Sequence, residues 1–304
     1  MTVMDWGIAA FVLALALWGF REGPVVGVVV TALAVGFVWG FGVAVLHVPG
    51  AAELRRDVRQ SLILSNLTEA LPPSEAVVRV LRRIDPVPRI DGSPPPVAPP
   101  DPAIASDPEV ARAADSVVRV YGTACGLGLE GSGWAIGSDL IVTNAHVIAG
   151  EDDTTVTTKG GASLDATAVH YDPRNDLALL KVAADIPALR FAPDPGYGTA
   201  GAVLGYPLNG PYRVTPARFG DTREAISEDS YGRGPLRRTI ASFRGAILSG
   251  HSGGPLVDPQ GRVMGTVFAA TTTGPPGGFA IPNKLIQTAK RNASTPVDTG
   301  LCST

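Results

Sequence analysis

Two apolar runs open the chain, Trp6 to Phe20 and Pro24 to Val48, parted only by Arg21-Glu22-Gly23. A membrane-spanning helix needs about 20 apolar residues, so the second run is long enough and the first slightly short. Together they predict a transmembrane helical hairpin over residues 1–50. Gly27, Ala32, Gly36 and Gly40 recur every four or five positions, which lets two helices approach closely. A cleaved signal peptide would need a basic n-region and a processing site, and neither is evident.

From Glu53 to Ile84 the pattern turns amphipathic: Leu54, Val58, Leu62, Leu67 and Leu71 alternate with Arg55, Arg56, Arg59 and Glu69. Pro72-Pro73 divides this segment, 51–84, into two short helices that lie near the bilayer, cover part of the next domain or form a solvated helical spacer. Residues 85–104 form a proline-rich linker whose extended polyproline geometry holds the rest of the chain away from the membrane.

Beyond it, over 105–304, short apolar runs are cut at close intervals by Gly, Pro, Asn and Asp. They include SVVRVYG, GSGWAIG, LIVTNAHVI, ATAVHYD, LALLKV, GAVLGYP, GRVMGTVFAA and GGFAIP. Such runs, rich in Val and Ile, predict an all-β domain of a size that suits two small barrels packed together. One late helix is predicted over Asn283–Arg291, primed by Pro282.

Composition changes this picture little. The 304 residues carry a formal charge of −3, which gives no electrostatic footprint for nucleic acid. The mean hydropathy of +0.19 reflects the first fifty residues. The two cysteines, Cys125 and Cys302, lack the number and spacing of a zinc or redox site, leaving one disulfide or two inert thiols. No cofactor or metal is implied.

Three segments carry candidate chemistry: Thr143-Asn144-Ala145-His146-Val147, Asp176-Leu177-Ala178-Leu179-Leu180, and Gly250-His251-Ser252-Gly253-Gly254-Pro255-Leu256. Peptide hydrolysis by a hydroxyl needs a base, a carboxylate that fixes the base's tautomer, and preorganised donors for the oxyanion. His146 suits the base, Asp176 the orienting carboxylate and Ser252 the nucleophile, with the amides of Gly250 and Ser252 converging as the oxyanion hole. Asp172 competes for the carboxylate role, but Asp172-Pro173 reads as the start of a turn, and His170 as a strand residue.

These segments resemble the triad motifs of the chymotrypsin-like serine proteases over roughly residues 110–290, nearest the bacterial trypsin-like and high-temperature-requirement branches. The layout as a whole resembles the actinobacterial membrane-anchored acid-resistance proteases, with their colicin V production-type anchor. In those anchors the connection between helices looks like Gly19–Gly23 here. The resemblance implies two six-stranded antiparallel β-barrels and a serine endopeptidase acting on protein or peptide substrates outside the cytoplasm, linked to envelope stress. It places the base of the substrate pocket near Ala246 and its walls at Ala269, Ala270, Gly277 and Gly278. With no acidic residue there, a small or medium apolar side chain is the expected preference. It also implies a Cys125–Cys302 disulfide. Two departures stand out: the family's anchor usually has four spans, and His251 replaces the usual Asp or Asn before the nucleophile. A histidine cannot accept a new N-terminal ammonium as a carboxylate does, so zymogen activation of that kind is not expected.

Charge near the anchor points the other way, since Arg55, Arg56 and Arg59 follow the second span against Arg21 alone in the connection. The positive-inside rule would keep the β domain in the cytoplasm. The cysteines, the tether and the resemblance favour the extracytoplasmic (periplasmic) side of the bacterial cell membrane. A second functional reading is a membrane-tethered binding or sensing module with a protease fold and little turnover.

Overall fold

The computed structural model describes residues 3–46, 89–90, 95–124 and 127–301. Both N-terminal runs are helical, α1 (Val3–Glu22) and α2 (Pro24–Leu46), turning at Gly23 and packing on each other. Leu17, Val25 and Leu33 face outward on this pair. Among the described residues no helix is long and apolar enough to cross a membrane; the described side chains of α2 end at Val38. The expected transmembrane hairpin is therefore present as a pair of helices and is not established as a pair of spans. The amphipathic segment 51–84 lies outside the described residues.

Six strands close a barrel: β2 (Val117–Ala124), β3 (Leu127–Gly137), β4 (Leu140–Thr143), β5 (Thr155–Thr158), β6 (Ser163–Asp172) and β7 (Leu177–Val182), in the order β2-β3-β4-β7-β6-β5. Their inward positions, among them Val118, Val120, Ala135, Ile141, Val156 and Leu180, fill its interior together with Ile148 from the loop after β4. The remaining strands are β1 (Arg89–Ile90), β8 (Ala200–Gly205), β9 (Arg213–Ser227), β10 (Leu236–Gly245), β11 (Pro255–Val257), β12 (Val263–Thr271) and β13 (Gly277–Pro282). They form a sheet ordered β1-β12-β11-β8-β9-β10-β13, in which β12 also pairs with β13.

A second core lies where the barrel meets this sheet. Trp134, Val142, Leu177 and Leu179 from the barrel pack with Leu204, Ile240, Phe268 and Phe279 from the sheet. Each such side chain contributes about 1.5–3 kcal/mol on burial, so this seam holds the two halves in fixed register. Trp134 Nε1–H donates to Thr266 Oγ1 at 2.9 Å across it, satisfying the one polar atom that burial of the indole would otherwise strand. The predicted late helix appears as α4 (Asn283–Asn292), with Ile286 and Ala289 buried. A short helix, α3 (Pro108–Ala113), opens the domain, its first amides capped by Asp107 Oδ1 at 2.8 and 3.4 Å.

The linker departs from expectation. Its described part does not stand free: Val97 and Ile104 are buried, Arg244 donates to Val97 O at 2.9 Å, and Arg218 to Pro99 O at 3.1 Å. Proline removes backbone donors, and here the remaining carbonyls are satisfied by arginines of β9 and β10. The β domain's packing thus reaches back to at least Pro95, and β1 adds a parallel pairing with Ala270 and Thr271.

Candidate active site

His146 sits just past β4, in a turn whose backbone is tied to the start of β7. Its N–H donates to Asp176 Oδ1 at 2.9 Å, and its Nδ1 lies 2.7 Å from Asp176 Oδ2. Asn144 Nδ2 donates to Asp176 O at 2.9 Å. The carboxylate thus holds ring and backbone of His146 together, with 8% of His146 and 2% of Asp176 exposed. A carboxylate only accepts, so Nδ1 carries the proton and the Nε2 lone pair is left as a base. Asp172 points elsewhere. Its two oxygens accept from the backbone and side-chain amides of Asn175 at 3.2 and 2.6 Å, closing the β6–β7 turn. His170 is paired opposite Leu179 on β6, and burial lowers its pKa despite Asp172 nearby.

Ser252 lies in the loop between β10 and β11 and is buried. Its carbonyl accepts from Ser132 N–H at 2.8 Å, which fastens the loop to β3. The same strand touches the histidine turn: a Cβ placed on Gly131 would lie 2.7 Å from Val147 Cγ2 and 2.9 Å from Ser252 O. The His146 and Ser252 segments therefore meet across one residue of β3. The hydrogen bonds of His146 run to Asp176, and none joins it to Ser252 Oγ. Such contacts commonly tighten only when substrate binds.

Backbone conformation shapes the serine loop. Gly250 has φ 87°, and a Cβ there would lie 2.3 Å from Tyr206 O; Gly253 has φ 82°, with Ser132 O only 2.0 Å from such an atom. Only glycine fits either place. His251 N–H donates to Leu248 O, Gly253 N–H to Val267 O and Gly254 N–H to His251 O, at 3.1, 2.8 and 2.9 Å. Among the described residues the N–H groups of Gly250 and Ser252 make no such bond. Donors placed this way beside a serine suit a site where an acceptor arrives with a ligand.

Of the expected pocket residues, Ala269, Ala270, Gly277 and Gly278 lie on the paired strands β12 and β13 or at their ends. Ala269 pairs with Phe279, Ala270 with Gly278, and Arg244 with Gly277. A Cβ on Gly278 would lie 2.7 Å from Phe243 Cζ and 2.9 Å from Ile247 Cγ1, next to the exposed Ala246. No motif in the sequence marks Phe243 or Ile247. The same holds for Arg238, whose guanidinium lies 4.3 Å over the Phe268 ring and donates to Ser227 Oγ at 2.7 Å. Burial lowers the pKa of Arg238, opposed by the charges of Asp176, Asp172 and Asp229. A buried arginine on an otherwise charged hairpin leaves no pattern to read. Cys125 and Cys302 lie outside the described residues.

Residues 131–265 match the trypsin-like peptidase domain. The chain is 35% identical over 268 residues to serine protease Rv3671c of Mycobacterium tuberculosis, covering 82% of this chain and 67% of that protein. The chain belongs to the trypsin-like serine proteases. As a member of that family it is a serine endopeptidase with the all-β chymotrypsin-like fold. The crystal structure of the Rv3671c protease in its active form superposes with a TM-score of 0.66 at 38% identity, covering 71% of this chain and 98% of that one. The HtrA-type protease AlgW with a tripeptide gives a TM-score of 0.54 at 30% identity, over 60% of this chain and 61% of that one. Among the family's curated members, the putative serine protease HhoB of Synechocystis is 31% identical over 54% of this chain and 40% of its own length.

Proposed function

We propose that this trypsin-like protease is tethered to the membrane by its N-terminal helices and cleaves extracytoplasmic proteins through His146, Asp176 and Ser252. The observation that carries the reading is the buried His146–Asp176 pair, at 2.7 and 2.9 Å, whose turn meets the Ser252 loop across Gly131. In the first step Ser252 Oγ attacks the scissile carbonyl carbon while its proton passes to His146 Nε2. The carbonyl oxygen becomes an oxyanion that accepts from the N–H groups of Gly250 and Ser252. Collapse of that intermediate breaks the C–N bond, and His146 returns its proton to the departing amine. Water then attacks the ester with His146 again as base, which releases the acid and restores Ser252. Asp176 remains ionised throughout, holding the ring and stabilising its charged form.

The pocket supports a small or medium apolar residue before the scissile bond. Ala246, Ala269, Ala270, Gly277 and Gly278 bring no carboxylate to pair with Arg or Lys, and Phe243 and Ile247 make the surroundings apolar. The tether rests on α2, which runs 23 residues without Asp, Glu, Lys or Arg, and on outward-facing Leu17, Val25 and Leu33. The extracytoplasmic side and a role in envelope stress rest on the resemblance of the layout.

The deciding experiment is Ser252→Ala in the full chain, assayed on casein and labelled with a fluorophosphonate. Activity is expected to fall by about 10⁴-fold or more and labelling to vanish. A variant that keeps a tenth of the activity refutes the triad. A wild-type chain that neither takes the probe nor turns over protein would favour the binding-module reading.

A further inference from the structure

His251 precedes Ser252 and is fully buried, with 0% exposure. A buried imidazole is costly unless both ring nitrogens are partnered. Here both are. Nδ1 accepts from Leu248 N–H at 3.0 Å, and Nε2 lies 3.2 Å from Thr215 Oγ1 on β9. Because an amide N–H can only donate, Nδ1 must present its lone pair. The ring is therefore neutral, with its proton on Nε2 donated to Thr215. His251 N–H also donates to Leu248 O at 3.1 Å, so the Leu248–His251 turn is closed twice, once by backbone and once by side chain.

Between those two residues lie Ser249 and Gly250, and both carbonyls are engaged. Gly250 O accepts from Ser132 Oγ at 2.6 Å, and Ser249 O accepts from Leu208 N–H at 2.8 Å. Leu208 and Asn209 are themselves held at φ 58° and 52°, a conformation that costs a leucine free energy and persists only where its surroundings impose it. The turn is thus fastened to β3, to the segment after β8 and, through the imidazole, to β9.

We infer that His251 is a positioning residue for the reaction, its neutral imidazole tying the serine loop to β9 so that the Gly250 and Ser252 amides are aimed at the oxyanion. The inference rests on the triad reading above. It gives a role to the side chain that stands where the family usually has Asp or Asn. A protonated ring could not fill that role. Both nitrogens would then be donors, the Leu248 N–H would lose its acceptor, and the turn would be free to open. The groups facing the ring keep it neutral. Arg213 on β9 is the charged group that acts on it and disfavours a second positive charge; Ser132 on β3 and Gly205 on β8 bring nothing that titrates. Burial first, and Arg213 second, push the pKa of His251 down to about 4.

Four chains test this: wild type, His251→Ala, His251→Asn and Ser252→Ala, each assayed for kcat and KM on one peptide substrate across the acid range. His251→Ala is expected to lose about 100-fold in kcat with KM changed less than about threefold, the cost typical of a misplaced oxyanion donor. Asparagine can accept from Leu248 N–H but cannot be protonated. His251→Asn should therefore recover most of the lost kcat. Below about pH 4 wild-type kcat/KM should fall more steeply with acidification than that of His251→Asn, which has no imidazole to protonate at this position. The inference is overturned if His251→Ala keeps wild-type kcat, if His251→Asn is no better than His251→Ala, or if the two acid limbs coincide. Should His251→Ala fail to fold, the acid limb of His251→Asn decides alone. An active Ser252→Ala would instead remove the triad reading; an inactive one beside a fully active His251→Ala removes only this inference.

Discussion

Asp176 is held at φ 57°, a left-handed conformation that aspartate tolerates better than most residues. The twist ends the β6–β7 turn and turns the carboxylate back onto His146. Asp176→Asn should leave the fold intact, since an amide has similar size and can still meet the His146 N–H. It would accept poorly from Nδ1–H and permit the wrong tautomer, so kcat should fall by about 10⁴-fold with little change in the thermal midpoint. Steady-state kinetics beside a melting curve check both halves.

His251 makes a stability prediction of its own. Its pKa is depressed from the ordinary 6.5 to about 4, so the unfolded chain binds its proton more readily than the folded one. The contribution is complete above pH 6.5 and is lost as pH falls through about 4, at up to about 1.4 kcal/mol per pH unit within that window. Melting curves of wild type and His251→Asn should converge near neutrality and separate on acidification, with wild type losing more. Parallel curves would show that the histidine titrates alike in both states.

At the scale of elements, the proline-rich linker is partly structural. Pro95 packs against Gly220, whose Cβ, if it had one, would lie 2.4 Å from Pro95 Cγ, and Val97 and Ile104 join buried surface. A chain beginning at residue 107 should therefore be less stable than one beginning at residue 89, by about 3 kcal/mol for the two buried side chains. Equal denaturation midpoints would mean that the linker is the free spacer its composition suggests. The strands divide in the same way. β7 (LALLKV) and β13 (GGFAIP) are short, mostly apolar runs and are readable as strands from their own residues. β9 interleaves Arg213, Arg218, Asp221, Arg223 and Glu224, and β10 carries Arg237, Arg238 and Arg244, so neither shows a clean period. Their pairing with each other over Leu236–Gly245, rather than their own pattern, makes them strands.

Across the whole molecule, the C-terminal tail crosses back to the first barrel. Gly150 N–H donates to Thr299 O at 3.0 Å, Thr299 Oγ1 to Glu151 O at 2.8 Å, and Val297 N–H to Ala168 O at 2.9 Å. The loop that follows His146 is thus braced by the last described residues. Thr123 N–H donates to Asp153 Oδ1 at 2.6 Å, so the end of β2 reaches this same loop. The expected Cys125–Cys302 bridge joins two residues outside those described, and chemistry tests it directly. Mass spectrometry of the unreduced, denatured chain should find no free thiol. Removing the bridge should cost at most about 5 kcal/mol, the chain-entropy limit for a loop of this length. Two thiols that alkylate freely without reductant would dismiss the bridge.

The sequence by itself determined the all-β domain, the apolar helical pair, the terminal helix and the candidate chemistry of His146, Asp176 and Ser252. Those features are local: a period of two, an unbroken apolar run, or a short motif states them without reference to distant residues. Tertiary structure alone decided which atoms meet. It folded the linker onto β9 and β10 and made strands of two charge-laced segments. It also turned His251 inward onto Leu248 and Thr215. Most of those outcomes depend on a partner far away in the chain, and hydrogen bonds and burial between such partners leave no period in the sequence to read.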